Sequence, residues 1–159
     1  MDDLKDAFWN RMEDVRAAML GIDGQGRLVA MSPQVDDDVP GHIWFITADG
    51  TELADGVKSG PRDAQLVVAD NNVGLYADVT GTLQRSHDHE ALEEVWSFVS
   101  DAWFDGGKAD PDVRLLQFTP KSAEVSVTPT SGVKFLYEIA KANLTNKKPD
   151  AGQQGIVTF

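Results

Sequence analysis

The run from His42 to Thr47 constrains the fold of this chain most, because it places Ile, Trp, Phe and Ile in succession before a threonine. Large β-branched and aromatic residues favour a pleated, largely buried strand. Side chains alternate between the two faces of a strand, so Trp44 and Phe45 must point in opposite directions. Only one of them can face the interior of a barrel. The other must be covered by a partner subunit or by a planar ring, and the sequence leaves both open.

Other short apolar runs predict further strands, which are separated by turn-forming residues rather than by long linkers. Asp23–Gly26 has the composition of a hairpin turn, and Thr119–Ser122 separates the last two predicted strands. Gly74 and Gly81 fall within a long predicted strand, where glycine often marks a bulge or a bend. Strands are expected at residues 18–22, 27–31, 42–47, 64–69, 73–84, 113–119 and 123–128.

The first helix is predicted from Asp3 to Arg16, where apolar residues recur at helical spacing and should form a stripe that faces the core. Trp9 lies off this stripe and is available to a neighbouring subunit. The stripe consists of Leu4, Phe8, Met12 and Val15.

Three more segments have helical patterns. A short helix is expected from Thr51 to Ser59, before the stop signal Gly60-Pro61. A longer one should begin at a cap provided by Ser86 or Asp88 and carry an apolar stripe on to Trp103. The last covers residues 131–144.

Short strands with inserted rather than alternating helices predict an α+β fold, an antiparallel split β-barrel with inserted and flanking helices. Residues 1–144 are expected to form one domain. The tail, residues 145–159, is rich in Lys, Pro, Gly and Gln and is expected to be mobile.

Charge and cysteine content exclude several functional classes. The formal net charge is −12, which disfavours nucleic acid and anionic membrane surfaces as partners. The chain has no cysteine, so it cannot form disulfides or zinc–thiolate sites. The acidic N-terminus does not resemble a secretory signal, and no apolar run approaches the roughly 20 residues that span a bilayer. We therefore expect a cytoplasmic protein.

Two polar segments contain metal-ligand residue types. Ser86–Glu90 supplies two imidazoles and two carboxylates, but the start of a helix would direct them to different faces. Asp36–Asp38 has carboxylates suited to a divalent cation, yet an acidic loop in an acidic protein is more often hydrated. The sequence on balance predicts no metal site.

Two motifs resemble the general stress protein type of the pyridoxamine-5'-phosphate-oxidase-like split barrels. The run Trp103–Gly107, with Asp110-Pro111 and Leu115-Leu116 after it, is similar to the family's WF-x-G…DP…LL pattern. Trp44–Thr47 is similar to its WF-x-T strand. The resemblance extends over residues 4–129 and implies a homodimer that binds flavin mononucleotide (FMN) between its subunits.

The resemblance also implies which residues contact the flavin. In the family, the cofactor is held by the end of the second strand, by the WF-x-T strand and by the short helix after it. The corresponding residues of this chain are Met31, Ser32, Phe45, Ile46, Thr47, Lys58 and Ser59. A strand edge can hydrogen-bond the pyrimidine ring, and a lysine can pair with the phosphate.

The chain departs from the family at Val29-Ala30-Met31, where Arg-Pro-Met is common. The expected phosphate-binding arginine is absent, which leaves Lys58 as the main implied phosphate partner. The resemblance implies an FMN-dependent oxidoreductase linked to stress response. The alternatives are a non-catalytic stress module with a weak or empty flavin site, and a deazaflavin- or haem-binding barrel. Haem would favour an axial histidine, of which the chain has His42, His87 and His89.

Overall fold

The computed structural model describes residues 2–96, 98–129, 132–145 and 152–159. Its strands are β1 Ala18–Ile22, β2 Val29–Met31, β3 Ile43–Ala48, β4 Arg62–Asp70, β5 Leu75–Ser86, β6 Val113–Val127 and β7 Gln153–Thr158. Its α-helices are α1 Asp2–Met12, α2 Glu52–Gly56, α3 His89–Val95, α4 Phe98–Trp103 and α5 Gly132–Thr145, and a 3₁₀ turn covers Gly107–Ala109. None of the described helices is long and apolar enough to cross a membrane.

The strands form one antiparallel sheet in the order β2-β1-β4-β5-β6-β3, with β7 also paired to β6. Strand β3 pairs with the first part of β6, and β7 pairs with its last part. Gln34, just beyond β2, forms an isolated bridge with Trp44 of β3. This bridge connects β3, at one end of the sheet, with the segment that follows β2, at the other end. The result is a nearly closed barrel, which confirms the predicted antiparallel α+β fold.

Helix α1 ends at Met12, earlier than the predicted Arg16, and packs against the barrel through Leu4, Phe8 and Met12. Val15, the fourth residue of the predicted stripe, lies beyond the helix but is also buried. Trp9, off the stripe, is partly covered within the chain, because its ring meets that of Phe159 edge-on at a centroid distance of 5.7 Å. Arg11 ties the same helix to the far end of the barrel by donating to the carbonyl oxygens of Val73, Gly74 and Thr128. Helix α1 therefore covers the core and also links turns from distant parts of the chain.

Residues 152–159 differ from the expectation of a mobile tail, whereas residues 146–151 of that tail lie outside the described residues. Gln153–Thr158 form strand β7, in register with Ser122–Val127 of β6. Val157 is buried in the main core, and Phe159 packs on Phe8 at a ring-centroid distance of 5.1 Å. In β7 only Val157 is buried, whereas Gln153, Gln154, Ile156 and Thr158 are exposed. The segment therefore lacks the clear apolar alternation that predicts a half-buried strand.

A single strand, β6, replaces the two strands predicted on either side of Thr119–Ser122. Pro120 suggested a turn, but it lies opposite Gly81 of β5, where the register shifts at a bulge. A bulge tolerates a residue without an N–H group. Gly81 is required there, since a Cβ atom would lie 2.3 Å from the Thr119 carbonyl oxygen. The predicted role of Gly81 as a bulge is thus confirmed, whereas the predicted turn at Pro120 is wrong.

The long helix expected to end at Trp103 is divided into α3 and α4. Asp88 caps α3 by accepting from the N–H groups of Glu90 and Ala91, so one of the two predicted caps is confirmed. The helix ends because Trp96 adopts an extended conformation with ψ 132°. Its indole Nε1 then donates to Asp101 of α4 at 2.8 Å. Trp103, the last residue of α4, is 80% exposed.

Candidate functional site

A cavity of about 500 Å³ opens where β3, the segment after β2 and helices α3 and α4 meet. Most of its exposed wall is apolar, and Val95, Trp103 and Phe104 contribute large hydrophobic groups. Its polar groups are hydroxyls and one amide. The lining residues are Ser32, Gln34, Ile46, Thr47, Ala48, Thr51, Val95, Ser100, Trp103 and Phe104. A volume of this size lies within the range of about 300 to 1,000 Å³ that is usual for cofactor sites.

The outer edge of β3 presents backbone groups to this cavity. Gln34 N–H donates to the Trp44 carbonyl at 2.9 Å, and Trp44 N–H donates to the Gln34 carbonyl at 2.8 Å, so both groups of Trp44 face away from β6. Backbone direction repeats every second residue of a strand, so Ile46 directs its N–H and C=O to the same edge. Phe45, one residue earlier, directs its groups toward β6.

Neither a partner subunit nor a planar ring is needed to cover the outer face of β3, contrary to the sequence expectation. Trp44 is 1% exposed and packs in a small cluster with Ala91 and Val95 of α3 and with Leu115 of β6. Phe45 lies on the opposite face in the main core, with no exposed surface. Helix α3 supplies the cover, because residues distant in sequence return over this strand.

Thr47 connects the cavity to a neighbouring groove. Its Oγ1 lies 3.1 Å from Oγ1 of Thr51, which caps α2 by accepting from Ala54 N–H. Both threonines line the cavity and also a groove of about 570 Å³ beside β2. The other groove residues are Arg27, Leu28, Val29, Met31, Glu52 and Leu53. Arg27 is paired with Glu52 at 3.1 Å.

A small basic pocket of about 80 Å³ lies at the end of the β3–β6 pair. Lys58, Arg85 and Arg114 line it, together with Asp49, Ala54 and Leu116. Arg114 is held in place because it donates to the carbonyl oxygens of Pro111 and Val113 and pairs with Asp49 at 3.3 Å. Arg114 lies directly opposite Thr47 in the β3–β6 register, so this pocket adjoins the cavity.

The structure brings together some of the predicted flavin-binding residues. Ser32, Ile46 and Thr47 line the cavity, Met31 lines the groove beside β2, and Lys58 lines the basic pocket. Phe45 faces the barrel core, and Ser59 is exposed and lines none of these three sites.

Arg85 and Arg114 are the basic residues that the sequence reasoning missed. Their proximity to Lys58 depends on the registers of β5 and β6, in which Thr47 faces Arg114 and Arg85 faces Leu116. The strand pattern alone gives no register, so the sequence carries no direct signal for this cluster.

The Trp103–Gly107 motif forms part of the cavity wall and the turn behind it. Asp110 orders this turn by accepting from the N–H groups of Asp112 at 2.9 Å and Gly106 at 3.1 Å. These two backbone donors, that of Asp112 first, hold the pKa of Asp110 below its usual value. The motif thus acts through its turn geometry as well as through its aromatic rings.

All three histidines lie in the described part of the chain, and none of them lines the cavity. Nδ1 of His42 lies 3.0 Å from Thr119 Oγ1, and partial burial lowers the pKa of His42. His87 and His89 line a separate cleft with Lys108. The cavity therefore has no imidazole from this chain for an axial bond to haem iron.

Comparison with known proteins agrees with the fold. Residues 3–150 match the family model "Pyridoxamine 5'-phosphate oxidase like". A crystal structure of a protein assigned as general stress protein 26 from Jannaschia sp. CCS1 has 65% identity and a TM-score of 0.95, over 100% of this chain and 99% of that one. No curated protein matches the chain significantly.

Two Xanthomonas structures are more distant. The general stress FMN/FAD binding protein of Xanthomonas citri has 28% identity and a TM-score of 0.73, over 82% of this chain and 93% of that one. A protein assigned to the general stress family from Xanthomonas campestris pv. campestris has 29% identity and a TM-score of 0.71, over 82% and 90%. With the family match across most of its length, this chain belongs to the pyridoxamine 5'-phosphate oxidase-like family, among its general stress proteins.

Proposed function

We propose that this protein binds FMN in the cavity beside β3 and acts as a flavin-dependent oxidoreductase. The observation that carries the proposal is the apolar cavity of about 500 Å³ beside the edge of β3. The alternation of the strand directs the N–H and C=O of Ile46 to this edge, as the Gln34–Trp44 bonds do for Trp44. A flavin ring combines flat apolar faces with a polar pyrimidine edge. The cavity offers complementary groups for both.

The lining residues fit such a ring. Phe104, Trp103 and Val95 offer apolar surface to its faces, while Ser32 and Gln34 offer hydrogen-bonding groups. Membership of the family and the FMN/FAD-binding relative support the same assignment. Bound flavin would supply the electron transfer, and the chain would bind, orient and shield the ring.

The phosphate is assigned to the basic pocket. Lys58, Arg85 and Arg114 bring three cations together beside the Thr47–Arg114 pair, with Asp49 as the single opposing carboxylate among the lining residues. An arginine already fixed by carbonyl oxygens loses little freedom when it binds an anion. This pocket offers a replacement for the arginine that is missing at Val29.

The proposed active form is a homodimer. Trp103 forms a wall of the cavity, yet its side chain is 80% exposed in the single chain. Exposed tryptophan is unusual on a monomer surface and common at interfaces. A second copy that covers Trp103 would also close the cavity against water.

A non-catalytic flavin-binding role is the second candidate. The cavity residues in the described part of the chain include no Asp, Glu, His, Lys or Arg. The lining thus offers no general acid or base with a pKa near neutrality. This composition favours chemistry carried by the flavin alone, or binding without turnover.

The absorption spectrum of freshly purified protein, followed by titration of the apo form with FMN, tests the proposal. We expect a flavin spectrum and saturable quenching of flavin fluorescence. The control variant is Ile156→Ser, which changes an exposed residue on β7 that does not line the cavity. A deazaflavin or haem spectrum, or no saturable FMN binding by the folded protein, would refute it. Photoreduction of the bound flavin followed by reoxidation with candidate acceptors then separates turnover from simple binding.

A further inference from the structure

Three carboxylates from two distant parts of the chain converge outside the cavity. Asp36 and Asp38 lie in the segment between β2 and β3, and Glu94 lies in the last turn of α3. One carboxylate oxygen from each residue lies within 4.8 Å of the other two. Three like charges at this separation repel one another unless a cation or a proton is shared among them.

Asp36 provides an independent indication of a missing partner. Its side chain is buried, with 8% of the residue exposed. Oδ1 accepts from Asp38 N–H at 2.9 Å, but Oδ2 is fully buried and has no hydrogen-bond partner among the described residues. A buried carboxylate oxygen without a donor is costly, and such groups are normally paired or bound to metal. The same carboxylate places one of its oxygens within 4.8 Å of an oxygen of Asp38 and of an oxygen of Glu94.

The donor set favours calcium. All three ligands are carboxylate oxygens, which suit hard cations, and the two exposed residues leave room for coordinating water. Mg²⁺ demands near-ideal octahedral geometry and usually takes only one or two protein carboxylates, whereas Ca²⁺ accepts more oxygen ligands in a flexible geometry. Three carboxylates that meet within 4.8 Å from two separate segments therefore suit Ca²⁺ better than Mg²⁺.

We infer that Asp36, Asp38 and Glu94 form a Ca²⁺ site that fastens the β2–β3 segment to helix α3. Ala91 and Val95 of the same helix cover Trp44, and Val95 also lines the cavity. The cation thus holds in place the helix that forms one wall of the cavity. The site is structural and does not depend on whether flavin is bound.

Calorimetric titration of chelator-treated, full-length protein with CaCl₂ at constant ionic strength tests this inference. We expect saturable binding of one Ca²⁺ per chain and a Tm increase of about 3 to 6 °C at roughly tenfold excess over the Kd. Glu94→Gln and Asp38→Asn change exposed residues and should fold normally. Each should weaken Ca²⁺ binding at least about tenfold, in line with the loss of one charged ligand.

Two matched controls test whether Ca²⁺ binding depends on these three residues rather than on the overall negative charge of the protein. Glu90→Gln makes the same change one turn earlier on α3, and Asp37→Asn makes it between the two ligands. Asp37 does not belong to the proposed site; it lies beside Glu13, and its charge raises the pKa of Glu13. Both controls should keep the wild-type Ca²⁺ affinity.

Asp36→Asn should abolish binding, and it should leave the calcium-free protein as stable as wild type or more stable, because it removes a buried charge that lacks a partner. The inference is overturned if no saturable binding occurs up to about 10 mM Ca²⁺, well above the weakest calcium sites. It is also overturned if Glu94→Gln binds like Glu90→Gln. Equal affinity for Mg²⁺ would overturn the assignment to calcium.

Discussion

Trp44 and Phe45 are adjacent in β3, and both are buried, yet they belong to two separate hydrophobic clusters. Phe45 contributes to the barrel core, whereas Trp44 is enclosed beneath α3. Strand β3 is therefore a middle layer between the barrel and a helix of the same chain. This arrangement explains how an edge strand can carry two large aromatic residues without exposing either.

Replacement of Trp44 by a small residue should strongly destabilise the folded protein. Trp44→Ala is expected to lower the free energy of unfolding by about 3 to 5 kcal/mol, because it leaves a large cavity beneath α3. Trp44→Phe should cost less than about 1.5 kcal/mol, since it keeps most of the volume and removes an indole N–H that has no partner in the described part of the chain. Urea unfolding followed by circular dichroism measures both. Equal losses for the two variants would contradict this account of the cluster.

Trp103 should affect assembly rather than the fold of a single chain. Its side chain is 80% exposed, so Trp103→Ala should keep the wild-type circular dichroism spectrum. If a second copy covers Trp103, the variant should dissociate at protein concentrations at which the wild type is dimeric.

Sedimentation velocity across micromolar concentrations measures this change. Leu144→Ser, which alters an exposed apolar residue of α5, is the comparison variant and should leave the dimer intact. A wild-type protein that is monomeric throughout would refute the proposed dimer. An unchanged dimer in Trp103→Ala would place the interface elsewhere.

Lys58 should contribute to the binding of the FMN phosphate and not to the binding of the flavin ring. Lys58→Ala is expected to weaken FMN binding by about 1 to 3 kcal/mol, the usual range for a hydrogen bond to a charged group, and to leave riboflavin binding nearly unchanged. Lys121→Ala is the matched control, because Lys121 is exposed and pairs with Asp63 outside the basic pocket. Fluorescence titration with both ligands is the measurement. Similar losses for FMN and riboflavin would show that Lys58 does not contact the phosphate.

Asp110 should make the free energy of unfolding depend on pH in the acidic range. Its pKa is lower in the folded protein than the ordinary value of 3.8, because Asp112 and Gly106 donate backbone N–H groups to it. The folded state therefore favours the ionised carboxylate. This contribution is complete above about pH 4 and is lost as the pH falls through the lower pKa of the folded state.

Asp110→Asn removes that contribution. The difference in Tm between the wild type and Asp110→Asn should be largest near neutral pH and should shrink below pH 3.8, as thermal unfolding across a pH series will record. Asp105→Asn, in the same turn, serves as the control. A difference that stays constant with pH would mean that the Asp110 carboxylate is not the cause.

Local patterns in the sequence predicted the barrel and the stripe of α1, since apolar periodicity reports which face of an element is buried. They failed where distant residues decide the outcome. Pro120 by itself predicts a turn, but in the sheet it lies opposite Gly81 at a bulge. The polar tail predicts a mobile segment, but residues 153–158 pair with the edge of β6. The same limit applies to the sites. Nothing near Asp36 in the sequence points to Glu94, and nothing near Lys58 points to Arg114.

The packing of α1 on β7 has a consequence for biosynthesis. Phe8 is translated long before Phe159, yet their rings are in contact. Contacts between residues so far apart in sequence slow folding, because a long loop must close before they form. While the ribosome is still adding β7, the apolar stripe of α1 lacks part of its final cover. Until β7 joins β6, this apolar surface is open to aggregation and to chaperone binding.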